Sequence, residues 1–264
     1  MNILKRELKA NRKALIIWCV CMFLLVISGM SKYNAYSSGE AGNDVFAKMP
    51  ATMKALLGMG SFDVTTMGGF FAFLFPYIEL TAAIHAVLLG SSIIAKEERD
   101  KTTEFIIVKP ISRFTIITQK LLAALFNIII LNIVSLFASL MIVSAFDKGA
   151  TITNEILILH LGMVFVQFIF LSLGAWLAAF MKKPKGSGSI AAGILFTTYV
   201  IAKITDLNDN LNALNILSPF KYFSLTKVVN GDGLNVIIVL LSFFLAAVFS
   251  ASTYYFYLRR DLNI

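Results

Sequence analysis

Six long apolar stretches constrain the fold of this chain more than any other feature. They cover residues 14–31, 69–95, 119–146, 154–181, 188–206 and 234–258. A helix needs about 20 mostly apolar residues to cross the hydrocarbon of a bilayer, and each stretch meets or approaches that length. Only 14% of the residues are charged, whereas soluble domains contain about a quarter. The sequence therefore predicts an all-α polytopic membrane protein, with residues 1–264 forming a single transmembrane domain.

Basic residues alternate with these stretches and predict their orientation. Most Lys and Arg fall in residues 1–13, in the 96–120 connection, in the 182–187 link and in the tail after residue 258. Because Lys and Arg concentrate in cytoplasmic segments, these four segments are predicted to lie in the cytoplasm together with both termini. The expected location is a bacterial cell membrane.

Two further segments have patterns of their own. In residues 1–13, Ile3, Leu4 and Leu8 share one helical face among basic residues, which predicts an interfacial amphipathic helix before the chain turns into the membrane. Residues 207–233 mix Asn and Asp with large apolar residues. We predict that they form an outer-side re-entrant or interfacial loop, with short helices that are broken at Pro219.

Few residues suggest chemistry within the chain. The sequence Gly-Ser-Gly-Ser at 186–189 lacks the lysine of a phosphate-binding loop, so no ATP site is expected in this chain. His85 and His160 do not have metal-ligand spacing, and no metal or other cofactor is predicted. The basic residues are spread over ends and loops rather than on a soluble face, which argues against nucleic-acid binding. No catalytic residue is assigned.

Glu79 lies near the middle of the second stretch, where an ionisable group is costly and usually faces a cavity or a partner. His85 follows six residues later, about 120° around the helix, so the two side chains need not share a face. Both are candidates for a substrate path. For Glu79 a packing role near Pro76 stays open beside a role in transport.

Residues 96–113 form a dense charged segment between two apolar stretches. Charge of this density is predicted to lie in water, and its acidic residues favour a helix start. The apolar group at 105–108 is predicted to bury against the membrane or a partner, and Pro110 to end the helix. Glu97, Glu98 and Arg99 also resemble part of an intramembrane protease motif, but an aqueous loop does not suit that chemistry.

The same segment resembles a motif of the type-two ABC transporter permeases, the exporter subunits related to bacitracin-resistance and nitrous-oxide-reductase maturation permeases. The resemblance is carried by Glu98-Arg99, Thr102, Glu104, Phe105-Ile106-Ile107 and Pro110-Ile111-Ser112-Arg113, which are similar to E-R-x-x-T-x-E-L-L-L-x-x-P-x-S-R. The run Leu-Ser-Pro-Phe-Lys-Tyr-Phe at 217–223 is also similar to a segment of that family. The chain departs from the motif at Lys101, where glycine is frequent.

The resemblance implies a permease subunit of an ATP-driven exporter of an amphiphile, such as an antimicrobial peptide, a drug or a lipid. A separate cytoplasmic ATP-binding subunit pair would hold ATP and Mg, and a second permease copy or paralogue would complete a dimer among membrane lipids. The residues expected to couple to the ATPase are Glu97, Glu98, Arg99, Thr102, Glu104, Phe105, Ile106, Ile107, Pro110 and Arg113. The alternative is a non-transporting immunity or sensor protein, or an intramembrane enzyme, on a similar scaffold.

Overall fold

The computed structural model describes residues 3–34, 49–50, 53–54, 64–101, 111–146, 152–223 and 234–260. Six long helices account for most of them. Their bounds are α1 Ile3–Met30, α2 Met67–Arg99, α3 Arg113–Phe146, α4 Thr153–Phe180, α5 Ser187–Thr205 and α6 Val236–Arg259. Each is long and apolar enough to span a bilayer, the fifth together with the 3₁₀ turn Pro184–Gly186 that precedes it. The predicted all-α fold with six spans is confirmed.

Three helices extend beyond their predicted spans. α2 has 33 residues and α3 has 34, so each is about 50 Å long, against about 30 Å of hydrocarbon. α1 runs unbroken from Ile3 to Met30, and the predicted turn after residue 13 is absent. Because residues 3–28 contain neither Gly nor Pro, nothing in the sequence interrupts that helix, and residues 3–13 extend the first span.

α2 and α4 form the centre of the bundle. In each of them 72% of the most apolar 18-residue stretch is buried, whereas the corresponding share in the other four helices is 11–39%. The two helices approach closely at Gly90 and Gly174. A Cβ atom on Gly90 would lie 2.0 Å from the carbonyl oxygen of Leu171, and one on Gly174 would lie 2.3 Å from that of Val87. Glycine is therefore required on both sides of this contact, as in small-residue packing between membrane helices.

The apolar core consists of two clusters and contains buried polar pairs. One cluster contains Ile93 and Phe170, and the other contains Phe71 and Ile156. Where the clusters meet, the side chain of Gln167 accepts from Asn132 Nδ2 and donates to the backbone carbonyl of Ala82 (3.2 Å). Within the second cluster, Ser135 Oγ lies 3.2 Å from His160 Nε2. Polar side chains are costly in hydrocarbon, so these pairs connect α2, α3 and α4 to one another.

Short 3₁₀ helices follow α5 in the described part of residues 207–233. They are Asp209–Leu217 and Pro219–Lys221, and they are separated at Ser218, next to the proline that was predicted to break the segment. Ser218 Oγ donates to the carbonyl of Thr198 on α5 (2.8 Å), and Tyr222 Oη donates to the carbonyl of Ile216 (2.7 Å). These bonds hold the segment against the bundle end. Residues 224–233 lie outside the described part of the chain.

Candidate functional site

One end of the bundle gathers the four basic segments that were predicted to share a side. The backbone N–H of Leu4 donates to Gln119 Oε1 (3.0 Å), which joins the start of α1 to the start of α3. Arg260, directly after α6, donates to the carbonyls of Ala178 (2.9 Å) and Lys182 (3.3 Å) at the end of α4. Residues near both termini therefore lie at the same end, which we call the basic end.

Glu97 lies in a buried cluster of charges between α1, α2 and α3. Its carboxylate accepts from Lys120 Nζ and from Arg6 Nη2, the latter at 3.3 Å. Beside it, Lys96 pairs with Glu7, and both Lys120 and Glu7 have no exposed surface. Buried charges persist only when they are paired and hydrogen-bonded, so these contacts fix the three helices relative to one another.

The neighbouring Glu98 points to a different side of α2. Its Oε2 accepts from Arg260 Nη2 (2.7 Å), and both side chains are nearly buried. Arg113, the first residue of α3, donates from Nη1 to the backbone carbonyl of Arg260 (2.8 Å). Successive helical residues project about 100° apart, which is why adjacent glutamates reach different neighbours. The end of α2 is thus held by α1 and α3 through Glu97, and by the tail after α6 through Glu98.

These contacts correct the expectation that residues 96–99 start a solvated helix. Glu97 and Glu98 belong to the last turn of α2, and Glu97 is only 6% exposed. Acidic side chains are unfavourable at a helix C-terminus, where the macrodipole is negative. Here the cations of Lys120, Arg6 and Arg260 offset that cost. Those cations come from distant parts of the sequence, so the local charge pattern could not reveal them.

Asp100 and Lys101 directly follow the end of α2. Arg99 Nε donates to Asp100 Oδ1 (3.0 Å), and this hydrogen bond holds the pKa of Asp100 below its usual range. Lys101 has φ of 55°, in the left-handed region that glycine adopts without strain. Helices commonly end on glycine in this conformation, which gives a physical reason for glycine at this position of the motif.

The remaining coupling residues divide into two groups. Arg113 starts α3 and contacts the tail, as described above. The others lie outside the described residues, and they are Thr102, Glu104, Phe105, Ile106, Ile107 and Pro110. The 102–110 segment therefore joins the end of α2 to residues 111–112, directly before α3.

The family model described as ABC-2 family transporter protein matches residues 1–262, nearly the whole chain. The chain belongs to the ABC-2 transporter family. No match was found among curated proteins. Subunits of this family are membrane permeases that lack an ATP site of their own, so membership implies a separate ATP-binding subunit.

The two substrate-path candidates of this ABC-2 transporter lie within α2, and both are buried. Glu79 is 7% exposed and lies within electrostatic range of Lys203 of α5. His85 is 3% exposed and packs edge-on against Trp18 of α1, with ring centroids 5.3 Å apart. The two side chains have separate surroundings, consistent with their angular separation in the sequence.

Sequence reasoning missed the partners that surround Glu97 and Glu98. Lys120 falls in the charged 96–120 connection of the sequence, yet it lies about two turns inside α3 and is fully buried. Glu7 is the single acidic residue within the basic segment 1–13, and that isolation was a usable signal. The pattern of basic residues indicates only a topological role for Arg260, whereas it bonds to Glu98 and to two backbone carbonyls.

Proposed function

We propose that this chain is the permease subunit of an ATP-driven exporter, and that a cytoplasmic ATPase docks on residues 96–113. The observation that carries the proposal is the double attachment of α2 at Glu97 and Glu98, directly before the 102–110 segment. A displacement of that segment reaches α2 at one end and α3 at the other. Because both helix ends are tied to their neighbours, the movement would pass into the bundle rather than be lost in a flexible loop.

The close α2–α4 contact extends this transmission to the centre of the bundle. A densely packed core has a few discrete arrangements and does not deform continuously. A force on the attached end of α2 would therefore shift whole helices from one arrangement to another. ATP binding by the partner would then favour one arrangement of the helices, because the ATP-bound ATPase would bind the two arrangements with different affinity. The work comes from the partner, and the permease converts it into a change between inward-facing and outward-facing states.

We place the basic end in the cytoplasm, on the strength of its Lys and Arg content. The transported compound would be an amphiphile, such as an antimicrobial peptide, a drug or a lipid. We place its path on the side of α2 and α5, where Glu79 and Lys203 bring ionisable groups within the membrane-spanning helices. A second permease copy would cover that side, since α5 buries little of its apolar surface within one chain.

The docking role is tested by purifying the tagged chain from its native membrane and measuring the ATPase activity that accompanies it. Glu104→Lys and Phe105→Asp alter the segment without touching any described ion pair, and each is expected to lower the accompanying activity at least tenfold. Lys183→Glu is the matched control, because it reverses an exposed charge at the same end outside the segment. Charge reversal at Glu97 and Glu98 is unsuitable, since it would also unpair buried cations.

The outcomes separate the competing functions. Loss of ATPase activity with the two segment variants, and not with Lys183→Glu, supports docking on residues 96–113. If all three variants co-purify with the same ATPase activity as the unaltered chain, docking on residues 96–113 is ruled out. An unaltered chain that brings down no ATPase at all would favour a self-sufficient membrane enzyme or a non-transporting immunity or sensor protein.

A further inference from the structure

Arg260 directly follows α6, yet its side chain is nearly enclosed by the bundle. The side chain is 11% exposed, and that of Glu98, which it contacts, is 10% exposed. A buried charge is costly unless it is paired and hydrogen-bonded, so each of these groups needs partners within the fold. The partners of Arg260 come from helices that are far apart in the sequence, and they indicate a role in joining those helices.

The guanidinium group joins the basic ends of α2 and α4. Nη2 donates to Glu98 Oε2 of α2 (2.7 Å), and Nη1 donates to the backbone carbonyl of Ala178 in the last turn of α4 (2.9 Å). Nη2 also donates to the carbonyl of Lys182 in the link that leads to α5 (3.3 Å). Because the donors of a guanidinium group form a rigid, planar fork, one side chain fixes all three acceptors relative to one another. We call this set of contacts the arginine joint.

The arginine joint also supplies a donor and a cation that the helix ends need. The last four carbonyl groups of a helix have no partner within it, and Ala178 is among the last four residues of α4. Both α2 and α4 end here, and their dipoles are negative at this end, so a cation stabilises both. A neutral side chain in place of Arg260 would leave Glu98 without its paired charge.

The backbone of Arg260 connects two further helices to the joint. Its carbonyl oxygen accepts a hydrogen bond from Nη1 of Arg113, the first residue of α3 (2.8 Å). On the other side it follows α6, which packs on α4 through Phe256 and Phe180, with ring centroids 5.0 Å apart. The ends of α2, α3, α4 and α6 therefore meet at this one residue.

The joint gives α2 and α4 a second point of attachment. The first is the close backbone contact at Gly90 and Gly174. Glu98 lies eight residues beyond Gly90, which is about 12 Å along α2. Two helices that touch at one point can pivot about it, whereas a second attachment at that distance prevents the rotation. With both attachments in place, α2 and α4 move as one body.

We propose that Arg260 is a positioning residue for coupling, which makes the basic end of α4 follow that of α2 when the partner ATPase displaces α2. The inference rests on the proposed function and adds the route by which movement leaves α2. α5 is less enclosed than α4, since only 22% of its most apolar stretch is buried, so α4 can shift relative to it. Without the joint the ATPase still docks and hydrolyses ATP, but α2 pivots at the glycine contact and α4 stays in place.

The joint is tested in the complex of this chain with its ATPase, reconstituted in lipid nanodiscs. In a chain with Cys19→Ala and Cys21→Ala, spin labels are attached at Asn154→Cys, in the first turn of α4, and at Ala213→Cys, after α5, which are both exposed positions. Pulsed electron paramagnetic resonance measures the distance between the labels without nucleotide and after trapping with ATP and vanadate. We expect trapping to shift this distance in the chain with Arg260.

Arg260→Lys separates the geometry of the joint from its charge. Lysine keeps a cation opposite Glu98, but its single nitrogen cannot occupy the positions of both guanidinium nitrogens, so the fork between α2 and α4 is lost. We expect this variant to lose most of the shift on trapping. The matched control is Arg259→Lys, the same substitution at the adjacent exposed residue, which bonds to Tyr255 of its own helix and should keep the shift. Thermal midpoints and co-purified ATPase activity show whether each variant is folded and docked.

Each outcome either supports or overturns the role of Arg260. Loss of the shift in Arg260→Lys, with ATPase activity kept in both variants and the shift kept in Arg259→Lys, supports it. A full shift in Arg260→Lys overturns it, because a cation opposite Glu98 would then suffice. Loss of folding or of the ATPase in Arg260→Lys also overturns it, in favour of a general stabilising role, as does an unaltered complex whose distance does not change on trapping. An unaltered chain that brings down no ATPase refutes the proposed function itself.

Discussion

Adjacent residues at the end of α2 have different tasks because the helix directs them to different neighbours. Glu97 pairs with cations of α1 and α3, Glu98 pairs with the tail after α6, and Arg99 pairs with Asp100 directly after the helix. The partners of Glu97 and Glu98 are distant in the sequence. The effect of a substitution on stability therefore depends on which charged partner it leaves unpaired. Lys101 is an exception, because its effect comes from its own backbone.

Replacing Lys101 with glycine should stabilise the protein. A residue with a Cβ atom costs about 1 kcal/mol in the left-handed region, and glycine avoids most of that cost. Lys101→Gly is therefore expected to raise the free energy of unfolding by about 0.5–1 kcal/mol, measured by denaturant titration in detergent. Lys183→Gly is the control. Lys183 has φ of −118°, so glycine there only adds freedom to the unfolded chain and should destabilise.

Equal effects of the two glycine substitutions would contradict this explanation of the helix end. The family motif shows the departure at Lys101, and the local charge pattern indicates that a span ends nearby. It could not show that the second apolar helix continues to Arg99, since the charges that favour a loop are paired within the fold. Pairing between residues 23 to 162 positions apart has no local signature.

At the scale of elements, α2 and α4 are distinguished by backbone contact. The carbonyls of Leu171 and Val87 approach the opposite glycines, a geometry that also permits weak Cα–H···O contacts. The hydropathy of the sequence predicted all six helices, because length and apolar content suffice for that. It did not identify the central pair, since Gly90 and Gly174 are unremarkable until the two helices are placed side by side.

A methyl group at this contact should separate the two helices. Gly90→Ala and Gly174→Ala are each expected to cost about 1–3 kcal/mol of stability, because backbone carbonyls cannot move aside as a flexible side chain can. The double variant should cost less than the sum, since one methyl group already separates the pair. Thermal midpoints in detergent measure both effects.

The control for this contact is Gly193→Ala in α5, where a Cβ atom would meet no atom within 4 Å. Alanine is the better helix former by about 1 kcal/mol, so this substitution should be neutral or stabilising. A loss of stability at Gly193 as large as that at Gly90 would show that the effect of Gly90→Ala does not come from packing against α4.

At the scale of the whole molecule, the structure brings the four basic segments together at one end. The ties between Arg260, Lys182 and Glu98 place the tail, the α4–α5 link and the end of α2 on one side. The 3₁₀ segment Asp209–Leu217 follows the far end of α5. A cytoplasmic ATPase can dock only if the basic end lies in the cytoplasm. The docking proposal therefore depends on the sidedness of the chain, that is, on which side of the membrane the basic end lies.

Single cysteines report that sidedness in intact cells. In a chain with Cys19→Ala and Cys21→Ala, the exposed positions Lys9, Lys183 and Ala213 are changed one at a time to cysteine. A membrane-impermeant maleimide is expected to label Ala213→Cys from outside, and to label Lys9→Cys and Lys183→Cys only after permeabilisation, because basic segments stay in the cytoplasm. The chain without cysteine gives the background. Different labelling of the two lysine positions would refute the six-span topology, and labelling of both from outside would place residues 96–113 beyond the reach of any cytoplasmic ATPase.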